Sequence, residues 1–231
     1  MRRPIKGFWE TDRSLTYLLS FLVLVIFILF PLGDVGVVGH FLLGLFLSAA
    51  LVSGVLTVIR SRTVALIAGT LVTGSVVAHW IHIATAQPTW LWLDLVLSML
   101  SIALLALVVL AQVFREGPIT MQRVQGAIVV YLLLGLVWSF AYRLIEFHDP
   151  NAFVFSNPRP LDIVDIGAPL TYFSFTTLTT VGYGDITAVN ALARSLAMLE
   201  ALVGQLYLAI LIARLVSLEV HHRQTRQSSK E

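Results

Sequence analysis

The chain has 231 residues, of which 58% are hydrophobic and only 12% charged. A soluble domain needs far more polar surface, so this composition points to a membrane protein. The lack of cysteine excludes a disulfide framework and a cysteine-based zinc site, and a net charge of +2 with no long block of like charge argues against nucleic acid as a partner.

An apolar helix needs about 20 residues to cross the hydrocarbon. Six stretches qualify as spans, near residues 15–32, 36–59, 64–84, 90–114, 124–146 and 189–217. The first, Leu15 to Leu32, is longer than the apolar core of a signal peptide and lacks a small-residue cleavage pattern, so it reads as a retained span. Pro31-Leu32-Gly33-Asp34 breaks it from the second, and Arg60-Ser61-Arg62 separates the second from the third. Gln87-Pro88 and Arg115-Glu116-Gly117-Pro118 mark the next two breaks, as Gly and Pro do in turns.

Basic residues orient the bundle. With the N-terminus in the cytoplasm, twelve Lys and Arg fall inside: Arg2, Arg3, Lys6, Arg13, Arg60, Arg62, Arg115, Arg123, Arg214, Arg223, Arg226 and Lys230. Three fall outside: Arg143, Arg159 and Arg194. Both termini are therefore expected in the cytoplasm. Because the basic residues flank apolar runs, anionic lipid headgroups are the expected surface partners.

The stretch from Phe147 to Ala168 is rich in Pro, Asp and Asn and reads as an exposed outer loop. Leu170 to Thr179 follows, too short to span, and it runs directly into Thr180-Val181-Gly182-Tyr183-Gly184-Asp185. Irregular backbone at membrane depth is tolerated only where protein buries it or it lines water. A re-entrant half-helix followed by a pore-lining strand meets that condition. Such a half-helix points its negative C-terminal end at the pore centre, where a cation would sit. A potassium ion sheds its water only if other oxygens replace the shell, and backbone carbonyls can do so without a fixed charge. Gly182 and Gly184 are expected at positive φ, which aims successive carbonyls at one axis at low steric cost. The Thr180 hydroxyl can add an oxygen at the inner end.

Thr180-Val181-Gly182-Tyr183-Gly184 is the potassium-channel filter string, and with its flanks this region resembles the potassium-channel pore module: outer helix, turret loop, pore helix, filter and inner helix. The likeness covers Met121 to Leu218. Gly204 lies twenty residues beyond Gly184, where that family places an inner-helix hinge, and the run Leu196-Ala197-Met198-Leu199-Glu200-Ala201-Leu202-Val203-Gly204-Gln205 looks like those of small prokaryotic channels. The resemblance implies an all-α membrane protein with six transmembrane helices, a re-entrant pore helix and a tetrameric pore. It implies potassium at Thr180, Val181, Gly182 and Tyr183, with Gly184 and Asp185 shaping the outer mouth, and no other cofactor. With one filter copy per chain, the resemblance implies four chains around one axis, a homotetramer, in the plasma membrane. The expected organisation is a cytoplasmic N-terminus (1–14), a four-helix transmembrane domain (15–120), the pore domain (121–218, filter 180–184) and a cytoplasmic tail (219–231).

The chain departs from the family in three places. Tyr172-Phe173 stands where many voltage-gated relatives carry two tryptophans, and Tyr172 is expected to donate to Asp185 behind the filter. Thr176 stands where some prokaryotic members have an acid. The fourth span carries no Lys or Arg and one acid, Asp94. A voltage sensor needs repeated basic residues there, each worth about 2.3 kcal/mol per 100 mV. A conventional sensor is therefore not expected, and a tail of thirteen residues is too short for a regulatory domain.

Several residues carry two readings. Gly204 is a gating hinge or a packing glycine. Glu200, a carboxyl inside the sixth span, is a functional group or a structural tie to pore-helix hydroxyls such as Thr176 or Thr177. His79, His82 and Asp94 form a sensor for protons or metal, or belong to an interfacial belt with Trp80, Trp90 and Trp92. His221-His222-Arg223 is a solvated end or a pH-sensing gate. Arg194 is expected to pair with Asp185 or an outer-loop acid. Two rival functions are a silent or regulatory subunit of a hetero-tetramer and a cation transporter subunit, though transporters usually repeat the pore motif. An enzyme is not expected, because neither Gly-x-Ser-x-Gly nor His-Glu-x-x-His occurs.

Overall fold

A computed structural model describes residues 14–29, 62–114, 120–156 and 166–228. Six α-helices and two short strands lie within them. Helix α1 (Ser14–Leu24) continues into a π-turn, Val25–Leu29. Helices α2 (Arg62–Thr85), α3 (Pro88–Val113) and α4 (Met121–His148) follow. Strand β1 (Phe153–Phe155), helix α5 (Gly167–Leu178), strand β2 (Ile186–Ala188) and the long helix α6 (Ala191–Ser228) complete the chain.

Among the described residues, four helices are long and apolar enough to cross a membrane: Thr63–Thr85, Pro88–Val113, Met121–His148 and Ala191–Arg214. They match the expected third, fourth, fifth and sixth spans. Leu15–Ile28 is a shorter apolar helix at the place of the first. The second expected span, 36–59, lies outside the described residues. Helix α6 continues past the expected start of the tail at 219, through Ser228.

The α2–α3 hairpin is closed by local chemistry. Ala86 takes a left-handed φ of +51° and its amide bonds to the His82 carbonyl at 2.8 Å, which ends α2. Pro88 then opens α3, where its missing N–H is no loss. Helix α3 buries Leu91, Leu95, Ile102, Leu105, Val109 and Val113, an apolar stripe at helical spacing. That stripe joins α1 and α4 in one core with Leu18, Leu22, Val129, Leu133 and Leu136. Only residues 114–120 separate α3 from α4, so α4 packs beside its own α3. A Cβ on Gly126 would lie 2.9 Å from Val113 Cγ2, so this glycine lets the two helices approach closely.

A second core sits at the other end of α4. Tyr142, Phe153 and Phe173 pack edge to face with ring centroids 5.1–5.5 Å apart, beside Ile145, Ile166 and Leu170. Strands β1 and β2 pair antiparallel here, Phe153 opposite Ala188 and Phe155 opposite Ile186. The chain between them, α5 and the filter string included, thus leaves this sheet and returns to it. The expected outer loop is therefore partly ordered as a β-bridge, a departure from an all-α fold. We call this the mouth end of the bundle, and the Phe114–Arg214 end the tail end.

Candidate functional site

Helix α5 ends at Leu178 with four carbonyls that need donors. Residues 179–182 supply three of them, and Tyr131 of α4 the fourth. Thr179 N bonds to Phe175 O at 3.1 Å, Thr180 N to Thr177 O at 2.9 Å, and Val181 N and Gly182 N both to Thr176 O at 2.8 and 3.2 Å. Turning these amides back onto the helix end leaves the carbonyls of Thr180 to Gly184 without a hydrogen-bond donor among the described residues. A row of free carbonyls at the negative end of a helix is a site for a cation.

The backbone adopts unusual angles to do this. Gly182 and Gly184 have φ of +55° and +79°, as their type allows, and a Cβ on either would meet nothing within 4 Å. Thr180 also has positive φ, +60°, which the sequence did not suggest. A β-branched residue there is strained by roughly 1–3 kcal/mol. Its hydroxyl donates to Thr179 O at 2.7 Å and accepts from Gln205 Nε2 of α6 at 3.3 Å, so side-chain contacts hold it in place.

The mouth of the string is held from behind. Tyr172 stacks on Tyr183, with centroids 6.4 Å apart and planes 4° from parallel. Its phenol interacts with Asp185, the residue expected from the sequence as its partner. Partial desolvation and then the Asp185 carboxylate raise the Tyr172 pKa, so the phenol keeps its proton as donor. Ser156 N bonds to Asp185 O at 2.8 Å, and Asp185 Oδ1 accepts the Ile186 amide at 3.1 Å. Thr176 and Thr177 support the string through their carbonyls; the Thr176 hydroxyl donates to Phe173 O.

Glu200 is fully buried but does not reach Thr176 or Thr177. Its Oε2 accepts from the Tyr142 hydroxyl at 2.5 Å, and its Oε1 lies 2.6 Å from Ser174 Oγ. One carboxyl thus ties α6 to α4 and to α5. Ser174 Oγ also lies 2.7 Å from Gly135 O. A hydroxyl has one proton, so both contacts are hydrogen bonds only if the carboxyl brings a proton of its own. The expected partners were wrong because α5 turns Ser174, not the threonines, toward α6.

Gly204 is buried, and a Cβ on it would lie 2.2 Å from Leu178 O. The inner helix therefore touches the end of α5 at this point. Tyr131 Oη donates to the same carbonyl at 3.2 Å, and Tyr207, stacked on Tyr131, donates to Ala127 O at 2.8 Å. Arg194 does not pair with Asp185; its Nε donates to Ala188 O at 3.0 Å, because β2 brings that carbonyl to the start of α6.

The expected trio of His79, His82 and Asp94 divides. His79 Nδ1 meets Asp94 Oδ2 at 2.9 Å, whereas His82 Nδ1 bonds to Gln87 O at 3.1 Å. Among the described residues no group of three His, Asp or Glu converges on a metal position. Sequence reasoning missed Tyr142, Ser174, Tyr131 and Gln205. All four are polar groups in or beside apolar helices, and that rarity was the available signal.

Comparison with known proteins agrees with this geometry. Residues 126–220 match the family model described as an ion channel. No curated protein and no solved structure matches the chain. The free carbonyls, the helix that carries them and the glycine beneath it all lie inside the segment, residues 126–220, that is similar to the ion channel family.

Proposed function

We propose that the chain is a subunit of a potassium-selective channel that conducts passively through a homotetrameric pore. The observation that supports this is the Thr180–Gly184 string, its first three amides folded back onto α5 and its carbonyls without donors among the described residues. Four copies around one axis supply rings of carbonyls that replace the water of a dehydrated potassium ion at Thr180, Val181, Gly182 and Tyr183, with the Thr180 hydroxyl at the inner end. One chain carries one string, so a closed ring needs four chains. Charge asymmetry supports placing both termini in the cytoplasm of a cell with the mouth end outside. Helix α3 lacks Lys and Arg, so the pore opens with little intrinsic voltage dependence.

The test is current through purified protein in planar bilayers, with potassium on one side and sodium on the other, stepped through voltage. A reversal potential near potassium's equilibrium value and an open probability nearly flat in voltage are expected. Current without selectivity overturns the filter assignment. A steep conductance–voltage curve overturns the sensor-free reading. A chain that conducts only when mixed with a second subunit type would instead be a regulatory member of a hetero-tetramer.

A further inference from the structure

The inner end of the string meets α6 at two consecutive residues. A Cβ on Gly204 would lie 2.2 Å from Leu178 O, so α6 runs against the end of α5 at this point. The next residue, Gln205, reaches the string itself: its Nε2 donates to Thr180 Oγ1 at 3.3 Å. Gly204 lets the helix come close, and Gln205 uses the approach. Among the described residues, Gln205 supplies the one side chain from another element that bonds to Thr180.

Thr180 needs a second anchor. Its φ of +60° is one that a β-branched residue rarely adopts. Its hydroxyl has one proton and two lone pairs. Thr179 O, 2.7 Å away, can only accept, so it takes the proton. The oxygen is left with acceptor capacity alone, and that fixes the amide. Gln205 meets it with an N–H, because its Oε1 would face a lone pair. One lone pair is thus engaged by α6 and one remains. With the proton and one lone pair both directed, the hydroxyl cannot turn, and the remaining lone pair keeps a single direction. Gln205 does this without charge. A Lys or Arg at this place would repel a cation at the inner end, and an Asp or Glu would hold it back from leaving.

We propose that Gln205 is a positioning residue for the innermost ion site and acts through the Thr180 hydroxyl. This rests on the channel reading above. Around one axis, four Gln205 amides hold four Thr180 hydroxyls in one orientation, and the remaining lone pair of each is the oxygen offered to potassium. Without the amide, the hydroxyl keeps its bond to Thr179 O but loses its second anchor. The ring of oxygens then loses its common geometry and holds potassium less well. Sodium, which that ring does not fit, is little affected.

The test uses full-length protein with potassium and sodium as probes, in detergent and in planar bilayers. An ion that binds the assembled state raises the temperature at which the quaternary state is lost, and the rise grows with concentration relative to the dissociation constant. In the wild type, potassium should raise that temperature and sodium should not. Gln205→Met keeps the side-chain length and removes the N–H. It should need several-fold more potassium for the same rise, keep its temperature in sodium alone, and pass sodium more readily relative to potassium. Thr180→Val removes the hydroxyl and should show the same loss. Adding Gln205→Met to Thr180→Val should change nothing further. If Gln205→Met does not assemble, Gln205→Asn, whose amide falls short of Thr180, makes the same comparison. A potassium response equal to wild type overturns the proposal, and so does an additive loss in the double variant. A lower temperature in sodium with an unchanged potassium dependence also overturns it, because a merely structural amide gives that result. A wild type that responds equally to both ions and carries no selective current overturns the channel reading, and the proposal with it.

Discussion

The two halves of this chain are held together by different means. Around α5, hydrogen bonds join every helix to its neighbour: Ser139 to Thr171 at 2.7 Å, Tyr142 and Ser174 to Glu200, Tyr131 to Leu178 O, and Tyr207 to Ala127 O. Among the described residues, the α2–α3 hairpin is tied by the Ser75–Ser98–Asp94–His79 cluster and, at its turn, by His82 to Gln87 O. Hydrocarbon tails are as apolar as leucine, so apolar packing between helices in lipid fixes position weakly. Directional bonds fix it better. They are concentrated around α5 and the string whose carbonyls the proposed function assigns to an ion, and they are sparse where a helix pair need only stay packed.

The sharpest way to break that comparison is at the string itself. Gly182→Ala should abolish selective current, because a side chain at φ +55° is strained and disturbs the backbone of the string. A normal reversal potential in that variant would remove Gly182 from the filter. Gly204→Ala comes next. Its methyl would lie 2.2 Å from Leu178 O, so α6 and the end of α5 must separate. Overpacking of this kind costs about 1–3 kcal/mol. If Gly204 acts mainly as a packing contact, the variant should conduct less and discriminate less between potassium and sodium. If it acts as a hinge, selectivity should stay intact while open probability alone changes. The ratio of sodium to potassium permeability separates the two.

Glu200 sharpens the comparison from the tie side. Glu200→Ala leaves Tyr142 and Ser174 buried without their partner, at a cost of about 1–3 kcal/mol. The assembled protein should then lose its quaternary state at a clearly lower temperature in detergent. Glu200→Gln should be far milder, because the amide can accept from Tyr142 and donate to Ser174. Equal losses in both variants would mean that the carboxyl works through its charge rather than through a proton-bearing tie.

These ties also show where the sequence was legible. Helices α2, α3, α4 and α6 follow from unbroken apolar runs with Pro and Gly between them, a signal that depends on composition alone. The string at 180–184 was legible because carbonyl-lined backbone demands glycine at fixed places. The partners of Glu200 were not legible. Which hydroxyl meets it depends on the rotation of α5 about its axis, and Ser174, Thr176 and Thr177 are too close in sequence to choose between. The β1–β2 bridge escaped for a related reason. Three-residue strands 33 positions apart carry no periodicity of their own, and their pairing appears only once α5 and the string return the chain to its starting point.

The smallest expected effect lies in the sparsely tied half, and it tests the comparison most directly. Ser75→Ala removes one interhelical hydroxyl contact from the α2–α3 pair. Such bonds average about 0.6 kcal/mol in membrane proteins, well below the loss expected at Glu200. Ser98 keeps its own acceptor, Asp94 Oδ1, so no buried donor is stranded. Stability should fall only slightly, and selectivity should not change, because the Ser75 hydroxyl bonds to Ser98 on α3 rather than to α5 or α6. A loss of selectivity comparable with that of Gly204→Ala would show that the hairpin holds the filter as firmly as the pore helices do. The division between a tied half and a merely packed half would then be wrong.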